Sequence, residues 1–250
     1  MELLSYLLPL FFLTALVYAT AGFAGGSTYL ALLALFAFPY EAMPKVALLC
    51  NLVVAGGGFW VFLRAGYFSP KKVLPFVLTS IPMAYLGGRI PLGKTLFLWL
   101  LALSLLAAGL RMLLSERSFT VRREPSWGRA WGLGLPIGAA LGLLSGLVGI
   151  GGGIFLAPVL YFLGWSHSRE AAAAAAFFIL VNSVAGLLGQ LAKSGPGLDW
   201  GLALPLMAAV FLGGQIGSRL GAGKISKLTL QRVTAALILS VSGRLLWGLF

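Results

Sequence analysis

Acidic residues are nearly absent from this chain. Glu2, Glu41, Glu116, Glu124, Glu170 and Asp199 are the complete set in 250 residues, and long apolar stretches separate them. Such a set excludes acid-rich metal clusters and carboxylate dyads. One histidine, His167, and one cysteine, Cys50, leave neither a Cys/His metal site nor a disulfide framework, so no metal and no cofactor is expected. Charged residues of both signs make up 10% of the chain, where a soluble domain carries about 25%. With so few, the chain cannot cover itself with a hydrated surface.

What the sequence has instead is apolar side chain: 60% of residues are hydrophobic and the mean hydropathy is +0.98. This is the composition of an integral membrane protein. A net charge of +12 would suggest nucleic acid in a soluble chain, but the Lys and Arg residues sit almost entirely in short breaks between apolar runs. Positive charge there orients a membrane protein, so the surroundings are lipid and no nucleic-acid partner is expected. The N-terminus resembles a cleaved leader, with an apolar run and an Ala19-Thr20-Ala21 site, yet the run is preceded by Glu2 rather than by a positive charge. It is read as mature sequence.

The apolar runs cover about 3–40, 44–63, 73–88, 95–114, 130–165, 171–192, 201–218 and 228–249. A span needs about 20 residues, so six runs fit one helix each. The first and fifth are too long, and glycines interrupt both: Gly22-Phe23-Ala24-Gly25-Gly26-Ser27 and Gly149-Ile150-Gly151-Gly152-Gly153. Each glycine lowers helix stability by about 1 kcal/mol, which predicts a broken helix at both places.

The chain also repeats itself. Gly25-Gly26 and Leu30-Ala31 recur 126 residues on as Gly151-Gly152 and Leu156-Ala157. Pro75, Gly87, Arg89, Gly93 and Lys94 recur 130 residues on as Pro205, Gly217, Arg219, Gly223 and Lys224. Two halves follow, 1–114 and 130–250, joined by a basic linker over 115–129. If each broken run is a hairpin that returns to its own side, thirteen Lys and Arg collect on one face. Lys45, Arg89, Lys94, Lys193 and Arg244, five in all, collect on the other. Were the fifth run a single span, the split would be ten to eight. The positive-inside rule favours hairpins, with the linker cytoplasmic and both termini outside. The expected fold is an all-α polytopic membrane protein of two inverted four-segment repeats, each a glycine-broken hairpin followed by three transmembrane helices, the plan of many secondary transporters.

Several residues read as packing. Trp127, Trp131, Trp165, Trp200 and Trp247 fall near run ends, where an indole anchors at the headgroups. The run Ala171 to Ala176 and the ladder Gly128, Gly132, Gly138, Gly142, Gly146 let helices approach closely. His167 reads as a loop residue. Gly88-Arg89-Ile90-Pro91-Leu92-Gly93-Lys94-Thr95 matches a phosphate-loop pattern, but that loop follows a parallel strand and needs an Asp for its metal. Here a Pro-bearing membrane helix precedes it, and the repeat keeps Gly223-Lys224 while replacing Thr95 by Ile225. It reads as a helix end.

The two broken hairpins carry the functional signal. Non-helical backbone at membrane depth is tolerated only where protein or a water-filled cavity surrounds it. A helix restarting after such a turn presents free N–H groups and the positive end of its dipole, which suits an anion. The candidate donors are Gly25, Gly26, Ser27 and Thr28 with Gly151, Gly152, Gly153 and Ile154, the Ser27 and Thr28 hydroxyls adding to them. Asn51, Asn182, Ser183 and Gln215 are polar residues in apolar runs; each either lines the same cavity or bonds between helices. Arg89 and Arg219, repeat mates, read first as helix-end cations.

Gly149-Ile150-Gly151-Gly152-Gly153-Ile154-Phe155-Leu156-Ala157-Pro158 resembles the G-x-G-G-G-x-x-x-x-P signature of the TauE/SafE sulfite and sulfonate exporters, and Pro205 with Gly217-Ser218-Arg219 is similar to that family's later P…G-x-R segment. The resemblance runs through both halves and implies an inner-membrane carrier of small sulfur-containing or organic anions. The first copy departs from it with Ser27 and Leu32, and Phe177-Phe178 stand where a Thr-Ser pair is expected. The reading is therefore a secondary transporter that binds a small anion between the two glycine breaks, without catalysis and with room for a homo-oligomer. An anion channel is the nearest alternative; a membrane scaffold or a membrane enzyme is further off.

Overall fold

The computed structural model describes residues 2–20, 22–114, 126–166, 168–193, 197–220, 236 and 239–248. His167 and most of the 115–129 linker lie outside the described residues. Those described are all helical with connecting turns. In order they form α1 (Glu2–Thr20), α2 (Gly26–Leu35), α3 (Met43–Arg64), α4 (Pro70–Arg89), α5 (Lys94–Leu114), α6 (Trp127–Val148), α7 (Gly153–Phe162), α8 (Ser168–Ala192) and α9 (Trp200–Leu220). A further helical stretch covers 239–247, and Ser242 Oγ ties it to the Ala102 carbonyl of α5 at 2.8 Å.

The helices α3, α6, α8 and α9 have the length and hydropathy of membrane spans. Leu78, Leu188, Leu204 and Leu212 on α4, α8 and α9 are more than half exposed, an apolar outer surface suited to lipid tails. Both long apolar runs are broken where the glycines predict, so that long α1 and α6 are each followed by a 10-residue helix, α2 and α7.

Glycine sets the direction of the main contacts. Cβ positions on Gly134, Gly138, Gly142 and Gly146 of α6 would strike Pro75, Phe76, Ser80 and Ala84 of α4 in ascending order, so α6 and α4 run parallel with backbones touching. Gly213 and Gly217 of α9 press on the carbonyls of Phe12 and Leu16 of α1 in the same sense. By contrast Gly22 lies between Phe62 of α3 and Ala172 of α8, Gly56 lies over Leu180, and Gly186 over Leu48. Numbers fall along α8 as they rise along α3: these two are antiparallel.

Two expectations change. The ladder on α6 begins at Gly134, because Gly128 and Gly132 meet nothing within 4 Å and sit on the opposite side of the helix. Trp165 is no interfacial anchor; it is 3% exposed and edge-on to Phe76 at 6.1 Å, in the core between α4 and α7. Trp127, Trp200 and Trp247 are exposed, as interfacial anchors are. Residues 171–176 are all buried, and the apparent phosphate loop is the junction where α4 ends at Arg89 and α5 begins at Lys94.

Candidate functional site

Each break is held by glycine in left-handed backbone, φ +97° at Gly25 and +85° at its repeat mate Gly151, a region that a Cβ disfavours. The helices that end there are closed. Phe23 N–H reaches the Tyr18 carbonyl at 3.0 Å, and Gly149 N–H reaches that of Ser145 at 2.8 Å. The helices that begin there are open. Thr28 and Tyr29 N–H both use the Gly25 carbonyl, while Phe155 and Leu156 use that of Gly152. Gly26, Ser27 and Ile154 N–H make no backbone hydrogen bond among the described residues. Two expected donors are already engaged: Thr28 N–H, and Gly153 N–H, which bonds the Gly151 carbonyl at 3.0 Å.

Asn51 of α3 brings the breaks together. Fully buried, it donates from Nδ2 to the Ile150 carbonyl at 3.1 Å. A Cβ on Gly26 would lie 2.7 Å from that carbonyl oxygen and 2.8 Å from Asn51 Oδ1. One on Gly151 would lie 3.0 Å from Asn51 Nδ2 and 3.2 Å from Ser183 Oγ. From this centre α2 leads back toward the start of α3 and α7 toward the start of α8. Since α3 and α8 are antiparallel, the two N-termini face one centre from opposite sides.

The Ser27 and Thr28 hydroxyls turn to α1, where Tyr18 Oη lies 3.4 Å and 2.8 Å away. Tyr18 was not legible as a site residue: a tyrosine in an apolar run carries no sign of a partner nine or ten positions on. In the second half Phe178 walls Gly152 at 2.9 Å from its Cβ position, Ser183 brings a hydroxyl to Gly151, and the Cβ of Ser145 lies 3.3 Å from the Cβ position of Gly152.

The TauE/SafE sulfite exporter family matches residues 7–245. The chain belongs to this family. It is also 37% identical over 248 residues to a probable membrane transporter protein of Sinorhizobium fredii, y4hK, covering 95% of this chain and 96% of that one. A second relative, the probable membrane transporter protein YunE of Bacillus subtilis, is 28% identical over 107 residues, 43% of this chain and 38% of its own length. No solved structure matches. The chain is a membrane transporter.

Not all polar candidates of this TauE/SafE protein reach the centre. Gln215 is half-buried on α9 against Gly57 of α3, six residues beyond Asn51 and thus about 9 Å along the helix. Asn182 gives its Nδ2 to the Phe178 carbonyl of its own helix at 2.8 Å; its neighbour Ser183 meets the break. Two lysines read as loop charges are buried instead. Lys72 is 8% exposed because it pairs with Glu170 of α8 at 2.8 Å. Lys45 is 2% exposed, next to Pro44, which packs on Gly149. Lys193, just beyond α8, has its pKa pushed below the usual lysine value by burial and by Lys45, with Glu41 opposing.

Proposed function

We propose that this transporter carries a small anion of the sulfite or sulfonate class across the inner membrane, binding it between the two glycine breaks. The supporting observation is the convergence of the α2 and α7 N-termini on Asn51, with Gly26, Ser27 and Ile154 N–H lacking backbone acceptors. A helix N-terminus offers roughly half a positive charge already fixed in the fold. A lysine or arginine at the midplane costs about 2.5 kcal/mol or more on insertion scales. Two opposed N-termini attract an anion without that cost.

The two halves act as inverted repeats. Equivalent helices α3 and α8 are antiparallel, and α6 pairs with α4 as α1 pairs with α9. Such a pair of halves has two related arrangements, one opening the centre to each side, which is alternating access. The Lys45 and Lys193 charges at one mouth draw anions toward the Gly149 side.

Uptake into proteoliposomes from a panel of sulfite, thiosulfate, sulfate, small sulfonates and carboxylates tests this. Sulfite or a sulfonate should be taken up, with a rate that saturates. Gly26→Val and Gly152→Val should abolish both uptake and the melting shift that substrate induces in wild type. An unchanged shift in both variants removes the breaks as the site.

A further inference from the structure

Resting on that reading, we propose that the site selects monoanions carrying one hydrogen-bond donor, an O–H or N–H beside the negative oxygens, over anions that can only accept. The observation is a set of buried side-chain atoms with no partner around the breaks. Asn51 Oδ1, Ser183 Oγ, Ser145 Oγ and Tyr29 Oη are all unpartnered. Each belongs to a residue at a break glycine: Asn51 at Gly26, Ser183 at Gly151, Ser145 at Gly152, and Tyr29 at Gly25, its Oη 3.1 Å from that Cβ position.

Asn51 Oδ1 decides the chemistry. An amide can be flipped, exchanging acceptor for donor, but here the flip is excluded: Nδ2 already donates to the Ile150 carbonyl, and reversal would set two oxygens face to face. Oδ1 is therefore a fixed acceptor, fully buried, beside the α2 N-terminus. An unmet buried acceptor costs about 1–3 kcal/mol. A ligand that meets only the N–H donors leaves that cost in place, and one that also donates a hydrogen removes it. A cation would satisfy the acceptors too, but the positive ends of two helices converge on the same point.

Two anions of equal charge and nearly equal shape isolate the term: sulfamate, with an NH₂ group, and methanesulfonate, with CH₃ in its place. Melting shifts of the full-length protein in detergent give an affinity for each. Sulfamate should bind about tenfold more tightly to wild type. That ratio should fall toward one in Asn51→Ala and be reduced in Ser183→Ala, which loses no hydrogen bond of the fold and so stands in should Asn51→Ala fail to fold. Equal binding of the two anions, or an unchanged ratio in Ser183→Ala, overturns donor selection while leaving the anion site intact. Binding of neither sulfamate, methanesulfonate nor sulfite to wild type overturns the anion site with it. Stabilisation by sodium chloride but not choline chloride would assign the acceptors to a cation and also overturn the proposal.

Discussion

Asn51 donates to the main-chain carbonyl of Ile150, ninety-nine residues away, at 3.1 Å. One side chain of the first half thus holds the unwound backbone of the second. Asn51→Leu leaves that carbonyl unmet and should lower stability by about 1–3 kcal/mol. Asn182→Leu removes a bond to a carbonyl of its own helix turn, so its cost should be the smaller. Melting temperatures in detergent compare the two, and equal losses would mean that the cross-half bond has no special weight.

The glycines of α6 give a paired test on one helix. Gly142→Ala drives a Cβ into the Ser80 backbone of α4 and should destabilise by about 1–3 kcal/mol. Gly132→Ala meets open space and should stabilise, by up to about 1 kcal/mol of helix propensity. Opposite signs in thermal unfolding are the expected outcome.

Glu170→Gln leaves Lys72 buried without its counter-charge. The loss should be roughly 2 kcal/mol, below that of a fully buried pair because Glu170 is still 29% exposed. Transport by the folded fraction should persist, and Lys72→Met with Glu170→Met should recover most of the stability. Loss of transport in the folded single variant would instead give Glu170 a part in proton coupling.

The sequence shows the broken helices, the repeat and the glycine turns because these are local: glycines in an apolar run break a helix wherever it packs. Asn51 is legible as a polar residue needing a partner, but the choice of Ile150 is a matter of tertiary approach. The same limit explains the misread residues. Trp165 at a run end looks interfacial until α7 folds back and carries it into the core. Lys72 looks like a loop cation until α8 brings Glu170 beside it. Gly134 escapes the ladder because Gly128 and Gly132 are also four residues apart, and only the position of α4 shows that the contact face is the one that Gly134 shares with Gly138.

Lys193 offers a pH test. Its folded pKa lies below the unfolded value because burial and Lys45 oppose the charged form. The folded state therefore carries a penalty while Lys193 is protonated, and stability should rise as the pH climbs through the lowered pKa toward that of an ordinary lysine. Lys193→Gln should raise the melting temperature slightly at neutral pH and flatten that alkaline rise. A fall at neutral pH would contradict it.

The topology proposed from the loop charges is open to labelling. Single cysteines at Ser118 and Ser226 should label from the cytoplasm and one at Ser194 from outside, while Cys50, fully buried, stays silent. Labelling of Ser118 and Ser226 on opposite faces would sink the inverted arrangement.

The pairing of α1 with α9 through Gly213 and Gly217 ties α1 to a helix that is made much later. Between Thr20 and Trp200 lie 179 residues, roughly 10–40 s of synthesis at ordinary ribosome speeds. For that interval α1 stands in the bilayer without its partner, and α4 likewise waits for α6. The first half is therefore expected to complete its packing only once the second has arrived. A gene cut within the linker should therefore yield two fragments that are degraded when made alone and rescue each other when made together.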